Sequence, residues 1–137
     1  MAIKINPYLG FDGNTREAMN FYKTCCGGEL TLQTIAETPL AAQCPAGMQN
    51  DIIHSMLKNG DLVLMATDMK SPAGFSSGTD MSIAISSDDE EEIRTLFAKL
   101  KEGGEVIDEL KSSFWGTLFG VVKDKFGKVW MLDGGKG

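Results

Sequence analysis

The sequence predicts an α+β chain made of two βαβββ modules, and two observations carry that prediction. Two amphipathic helical stretches end in the same tripeptide, Gly27-Gly28-Glu29 and Gly103-Gly104-Glu105, and each is followed by strand-forming sequence. The order strand, helix, strand, hairpin then runs twice along the 137 residues. A four-stranded unit with one helix leaves its second sheet face uncovered. Two such units protect those faces when their strands form a curved mixed sheet around a shared cavity, and that cavity is the expected ligand site. The chain is expected to be one domain, 1–137, with module one at 1–69, a linker at about 70–80 and module two at 81–137.

In module one, Ile5 to Phe11 reads as a strand. Asn14 is the expected helix N-cap, with Glu17 as its capping-box partner. Ala18, Phe21, Tyr22 and Cys25 recur at i, i+3, i+4, i+7, one apolar helix face. Gly27-Gly28 ends the helix, since glycine takes the left-handed conformation readily. Glu29 to Ala36 alternates as a strand, with Leu30, Leu32 and Thr34 on one side. After a looser stretch through Pro39, Pro45 and Gly47, Ile52 to Leu57 and Leu62 to Ala66 read as a hairpin turning at Asn59-Gly60. Asp68 to Asp80, rich in Ser, Pro and Gly, reads as the connection between modules.

In module two, Met81 to Ser86 is the first strand, and Ser87 with Glu90 makes a second expected capping box. Ile93, Leu96, Phe97 and Leu100 repeat the apolar helix face. The acidic run Asp88 to Glu92 suits the first turn of a helix, where the dipole favours negative charge, better than a metal site. Glu105 to Leu110, Trp115 to Lys123 and Lys128 to Leu132 complete the strands, the last two joined by Asp124-Lys125-Phe126-Gly127.

Composition excludes several functions. A net charge of −6 with a pI of about 4.7, and no Lys/Arg cluster, argues against nucleic acid. No apolar run approaches the ~20 residues that span a bilayer, so no membrane role is expected. Met1 to Ile5 lacks the basic and apolar regions of a secretory leader. Three cysteines without a CxxC pair suit a reducing compartment, so the expected location is cytoplasmic.

Several segments together resemble the PhnB-like branch of the vicinal oxygen chelate superfamily, which includes glyoxalase I, extradiol dioxygenases and bleomycin-resistance proteins. They are Asn6-Pro7-Tyr8-Leu9-Gly10-Phe11, Glu17-Ala18-x-x-Phe21-Tyr22 running to Gly27-Gly28-Glu29, His54-Ser55-x-Leu57, Leu64-Met65-Ala66-x-Asp68, Phe114-Trp115-Gly116, and Asp124-Lys125-Phe126-Gly127-Lys128-Val129-Trp130. The resemblance implies paired βαβββ modules, a homodimer, and a cavity open to small molecules. Part of that branch is labelled as a ubiquinone-pathway methyltransferase, yet the chain has no strand–Gly-rich loop–helix unit to hold an adenosyl group.

Metal-dependent members of the superfamily chelate a divalent ion through side chains on the first and last strands of each module. The matching positions here are Asn6, Met65, Ser82 and Met131. Amide, hydroxyl and thioether groups are poor donors for such an ion, which calls for imidazole, carboxylate or thiolate. No metal and no cofactor are therefore expected. His54 is the only histidine and the only acid–base candidate. The expected ligand-binding residues are Tyr8, His54, Met65, Trp115 and Met131. The function expected is binding of a small, partly apolar molecule. The alternatives are a metal-dependent lyase, isomerase or dioxygenase of the superfamily, and a vestigial site with a role for the dimer surface.

Overall fold

In the computed structural model the chain divides into two units, Met1–Ser76 and Ser77–Gly137. The structure describes residues 3–70 and 73–135. The Met1-Ala2 start and the Ser71-Pro72 part of the expected linker lie outside the described residues, as do Lys136 and Gly137.

Unit one contains β1 (Tyr8–Gly10), α1 (Thr15–Cys26), β2 (Glu29–Thr34), β3 (Ile52–Asn59) and β4 (Leu62–Thr67). The sheet order is β1-β4-β3-β2, with β1 parallel to β4 and the other pairs antiparallel. The first strand is shorter than the expected Ile5 to Phe11. Pro7 has no N–H to give a ladder, and its carbonyl accepts from the Met65 amide at 3.1 Å just before pairing begins. Thr15, Ala18, Met19, Tyr22 and Cys25 form the buried face of α1, so Met19 takes the place expected for Phe21. Below that face lie Ser55, Leu57, Leu64 and Ala66.

Asn14 makes no side-chain cap to α1. The Asp68 carboxylate caps it instead, accepting from the Thr15 amide at 3.0 Å and from the Thr15 hydroxyl at 2.5 Å. Its second oxygen accepts from the Ile52 amide at 2.8 Å. Asp68 is thus a buried lock joining the end of β4, the start of β3 and the start of α1. It is not the first residue of a solvated connection. Between β2 and β3, the stretch that follows Thr34 folds as three short 3-10 turns, Ile35–Glu37, Pro39–Gln43 and Ala46–Met48.

Unit two contains β5 (Ile83–Ser87), α2 (Glu90–Leu100), β6 (Glu105–Ser112), β7 (Leu118–Lys123) and β8 (Val129–Gly134), in the order β5-β8-β7-β6 with β5 parallel to β8. Ile93, Leu96, Phe97 and Leu100 are all buried against this sheet. The N-cap of α2 is Asp89, whose carboxylate accepts from the Glu91 and Glu92 amides. Ser87, the expected cap, accepts from the Asp89 amide one step earlier. The strand expected from Trp115 begins only at Leu118. Trp115 sits in a turn closed by the Ser113 amide and hydroxyl, each donating to the Thr117 carbonyl at 2.7 Å, with Gly116 at φ 98°.

The repeated Gly-Gly-Glu has a packing cause in both units. Gly27 and Gly103 end their helices at φ 72° and 76°. A Cβ on Gly28 would stand 2.4 Å from the Lys58 carbonyl oxygen, and one on Gly104 would stand 2.2 Å from that of Lys123. In each unit the helix exit therefore presses against the neighbouring strand end, and only glycine fits. Among the described residues, no helix is long and apolar enough to cross a membrane.

Candidate functional site

Period-two alternation decides what the uncovered faces carry. In unit one, Ser55, Leu57, Leu64 and Ala66 turn towards α1, so His54, Met56 and Met65 turn the other way. The strand register aligns Tyr8, Met65, Met56 and Thr31 in one row across all four strands. His54 stands beside that row, with Gln33 as its partner on β2. Tyr8 reaches across from β1, and its hydroxyl lies 3.1 Å from His54 Nδ1. The two rings are tilted by 48° with centroids 5.8 Å apart, a side approach and not a stack. Tyr8 is about half exposed, while His54, Met56 and Met65 are half-buried.

One hydroxyl bordering this patch is already committed as a donor: Thr67 Oγ1 donates to the Ile53 carbonyl at 2.8 Å, while Thr31 Oγ1 stands 3.4 Å from that of Met56. The patch therefore combines two adjacent thioethers with a phenol–imidazole pair and one amide side chain. Three of the expected ligand-binding residues, Tyr8, His54 and Met65, come together in it. Met56 and Gln33 are not among the expected ligand-binding residues. The signal for both was present, since hairpin alternation puts Met56 on the His54 side and strand pairing brings Gln33 to it.

Unit two's uncovered face is different in kind. Ala84, Met131 and Val121 form the row matching that of Tyr8 and Met65. Trp115 meets Phe119 edge-on with centroids 5.5 Å apart, and Phe114 lies edge-on to Trp115 at 4.6 Å. Trp115 and Met131 are both substantially exposed. Polar groups enter this face along the row of Ser86, Asp133, Phe119 and Lys111, where the Asp133 carboxylate accepts from the Thr117 hydroxyl.

The four superfamily metal positions do not form one set of strand residues. Asn6 precedes β1 and Ser82 precedes β5, both exposed, because pairing starts two residues later at Tyr8 and one later at Ile83. The residues in register with Met65 and Met131 are Tyr8 and Ala84. Thioethers, an amide, a hydroxyl, a phenol and a methyl group do not fit a divalent transition-metal ion. Among the described residues, no three His, Cys, Asp or Glu side chains gather in a group able to hold a metal.

Two buried carboxylates escaped sequence reasoning as structural groups. Asp68 is described above. Asp124 accepts from the Phe126 and Lys128 amides and, at 2.7 Å, from the Trp130 indole N–H. Beside it, burial holds the Lys128 ammonium below its ordinary lysine range, and the Asp124 charge partly opposes that shift.

A family model described as 3-demethylubiquinone-9 3-methyltransferase matches residues 3–132. The chain is 32% identical over 138 residues to protein YjdN of Escherichia coli K12, covering 94% of this chain and 93% of that protein. It is similar to the crystal structure of PA1353 from Pseudomonas aeruginosa, with 35% identity, a TM-score of 0.86, and 99% and 100% of the two chains covered. It is similar also to a putative 3-demethylubiquinone-9 3-methyltransferase, PhnB protein, from Bacillus cereus, with 27% identity, a TM-score of 0.72, and coverage of 96% and 99%. Solved members of the glyoxalase group at 14% and 15% identity, each with a TM-score of 0.60, share the fold. The chain belongs to the PhnB-like family that bears the 3-demethylubiquinone-9 3-methyltransferase description, and its fold is that of the glyoxalase/bleomycin resistance/dioxygenase superfamily.

Proposed function

We propose that this PhnB-like protein is a metal-free binder of a small, partly apolar molecule. One observation carries the reading: a hydrogen-bonded Tyr8–His54 pair stands beside the Met56–Met65 pair on a sheet face that α1 does not cover. Thioethers are polarisable and adapt to flat or irregular apolar bodies, while the phenol–imidazole pair fixes a polar end. The Trp115 and Met131 surface of unit two offers aromatic and thioether contact beside the Ser86, Asp133 and Lys111 row, without an imidazole or a phenol. The donor chemistry at Asn6, Met65, Ser82 and Met131 supports the metal-free part.

A methyltransferase role has little support in the residues. The turn from β1 into α1, Phe11 to Asn14, holds a single glycine. The positive end of α1, which a strand–loop–helix unit offers to a ligand's anionic group, is filled by the Asp68 carboxylate. We propose further that the protein works as a homodimer in the cytoplasm. The exposed Ile3, Ile5, Met81 and Phe114 support association, and the three free cysteines support a reducing compartment.

Metal analysis of protein purified without chelator tests the first part, and a stoichiometric divalent ion would overturn it. Thermal-shift screening against aromatic metabolites and glycopeptide antibiotics tests the second. A stabilising ligand is expected, and its effect should shrink when His54 and Met65 are both replaced by alanine. A shift that survives that double replacement places the ligand elsewhere.

A further inference from the structure

The imidazole of His54 has two nitrogens, and the structure shows what one of them does. Nδ1 lies 3.1 Å from the Tyr8 hydroxyl, and among the described residues no carboxylate pairs with the ring. A phenol is a good donor and a weak acceptor, because its oxygen lone pair is drawn into the ring. An imidazole nitrogen lone pair is a strong acceptor. The favoured arrangement is therefore Tyr8 O–H donating to Nδ1.

We infer that Tyr8 holds neutral His54 as the Nε2–H tautomer, so that His54 offers a bound molecule a hydrogen-bond donor and not a base. The consequence survives protonation. In the imidazolium, Nδ1–H donates to the Tyr8 oxygen and Nε2 still carries its hydrogen. In neither state does His54 present a free lone pair at Nε2. Thr67 has spent its hydroxyl hydrogen on the Ile53 carbonyl. Nε2–H is then the ring donor of the patch, with the Gln33 amide and the exposed Thr31 hydroxyl at its border, next to the thioethers of Met56 and Met65.

Resting on the binding function proposed above, this assigns the ligand a chemical class. It carries an accepting oxygen, a carbonyl or carboxylate, on an apolar body that lies against the methionines. Tyr8 is a positioning residue in this scheme, acting through His54.

The test is direct because the chain has one histidine. In a long-range 1H–15N spectrum of the neutral imidazole, Nδ1 should appear unprotonated and Nε2 protonated. Tyr8→Phe should move the tautomer population measurably towards Nδ1–H without altering the far-UV circular dichroism. A parent protein protonated at Nδ1, or a Tyr8→Phe spectrum identical to the parent's, overturns the inference.

Titration with benzoate and with benzylamine tests the ligand class. Benzoate should bind about tenfold more weakly to His54→Leu than to the parent, as loss of one charge-assisted hydrogen bond dictates, and His54→Gln should recover part of that loss. Benzylamine should show no such dependence. Equal losses for the two probes overturn the donor assignment. If neither probe perturbs any resonance of the face, the binding function falls and the ligand class with it, while the ligand-free spectrum still decides the tautomer.

Discussion

The two units share a strand order and a glycine pair, yet they close the same junction with opposite chemistry. In unit one, Asp68 follows β4 and its buried carboxylate binds the start of α1 and the start of β3. In unit two, the matching position after Met131 and Leu132 is Gly134. A Cβ there would stand 2.3 Å from Ile93 Cγ1, so α2 packs onto bare backbone. Its N-cap comes from its own sequence, at Asp89. Unit two's buried carboxylate, Asp124, has moved to the β7–β8 turn. The repeat therefore constrains where backbones approach, while the polar groups are free to differ. The uncovered faces show the same freedom: phenol, imidazole and amide beside thioethers in unit one, Phe119 and Trp115 beside Ser86, Asp133 and Lys111 in unit two.

The aromatic residues give each unit its own spectroscopic probe, since both tyrosines lie in unit one and both tryptophans in unit two. Asp68→Ala has the largest expected effect. It strands the Thr15 amide, the Thr15 hydroxyl and the Ile52 amide, on residues 0% and 1% exposed. At about 1–3 kcal/mol for each buried group left unpaired, the loss should be about 3 kcal/mol or more. In urea, derivative tyrosine absorbance should report it. Asp124→Ala should cost less, because of the three donors it strands only the Trp130 indole N–H is buried, while Phe126 and Lys128 lie in a half-buried turn that water can reach, and tryptophan fluorescence should register the change. Equal losses would refute this ranking of the two carboxylates.

Gly134→Ala comes next. The added methyl must displace Ile93 from a close-packed contact, and overpacking of that kind costs about 1–3 kcal/mol. The tryptophan-reported transition should move and the tyrosine-reported one should move less. Tyr8→Phe should be milder still, under about 1 kcal/mol, because the hydroxyl it removes is half exposed and its hydrogen bond is a single neutral one. A large loss there would make the Tyr8–His54 pair a structural lock like Asp68 and not part of a recognition surface.

Much of the fold was legible because it rests on periodicity and glycine. The face of α2, the hairpin β3–β4 and the helix stops follow from local pattern alone. What escaped depends on partners distant in sequence. Asp68 reads as the start of a polar linker, since nothing nearby announces that Thr15, on another element, needs an acceptor. Asn14 reads as the cap for the same reason in reverse. Trp115 reads as strand because its β propensity is local, whereas the turn that removes it is closed by Ser113 and Thr117 on either side. At the site, the resemblance and strand alternation reached Tyr8, His54 and Met65. The hydrogen bond between the first two spans three strands, and no sequence pattern encodes it.

The smallest expected effect concerns the stretch that unit two lacks. After β2, the Glu37 carboxylate accepts from the Thr34 amide and hydroxyl, both at 2.9 Å, and closes the first 3-10 turn. Those two bonds, the amide's first, hold its pKa below the ordinary 4.5, with a smaller contribution from Arg16. A carboxylate depressed in the folded state stabilises above its unfolded pKa, and that contribution is lost as pH falls through the folded value. The Thr34 amide resonance should therefore titrate with an inflection below 4.5, and Glu37→Gln should abolish the inflection while leaving both unfolding transitions nearly unmoved. In unit two the chain leaves β6 through Ser113, whose amide and hydroxyl answer to a backbone carbonyl. Its amide should show no carboxylate titration over the same range. An inflection at Ser113, or one at Thr34 that persists in Glu37→Gln, would mean that the capping carboxylate is not what separates these two exits.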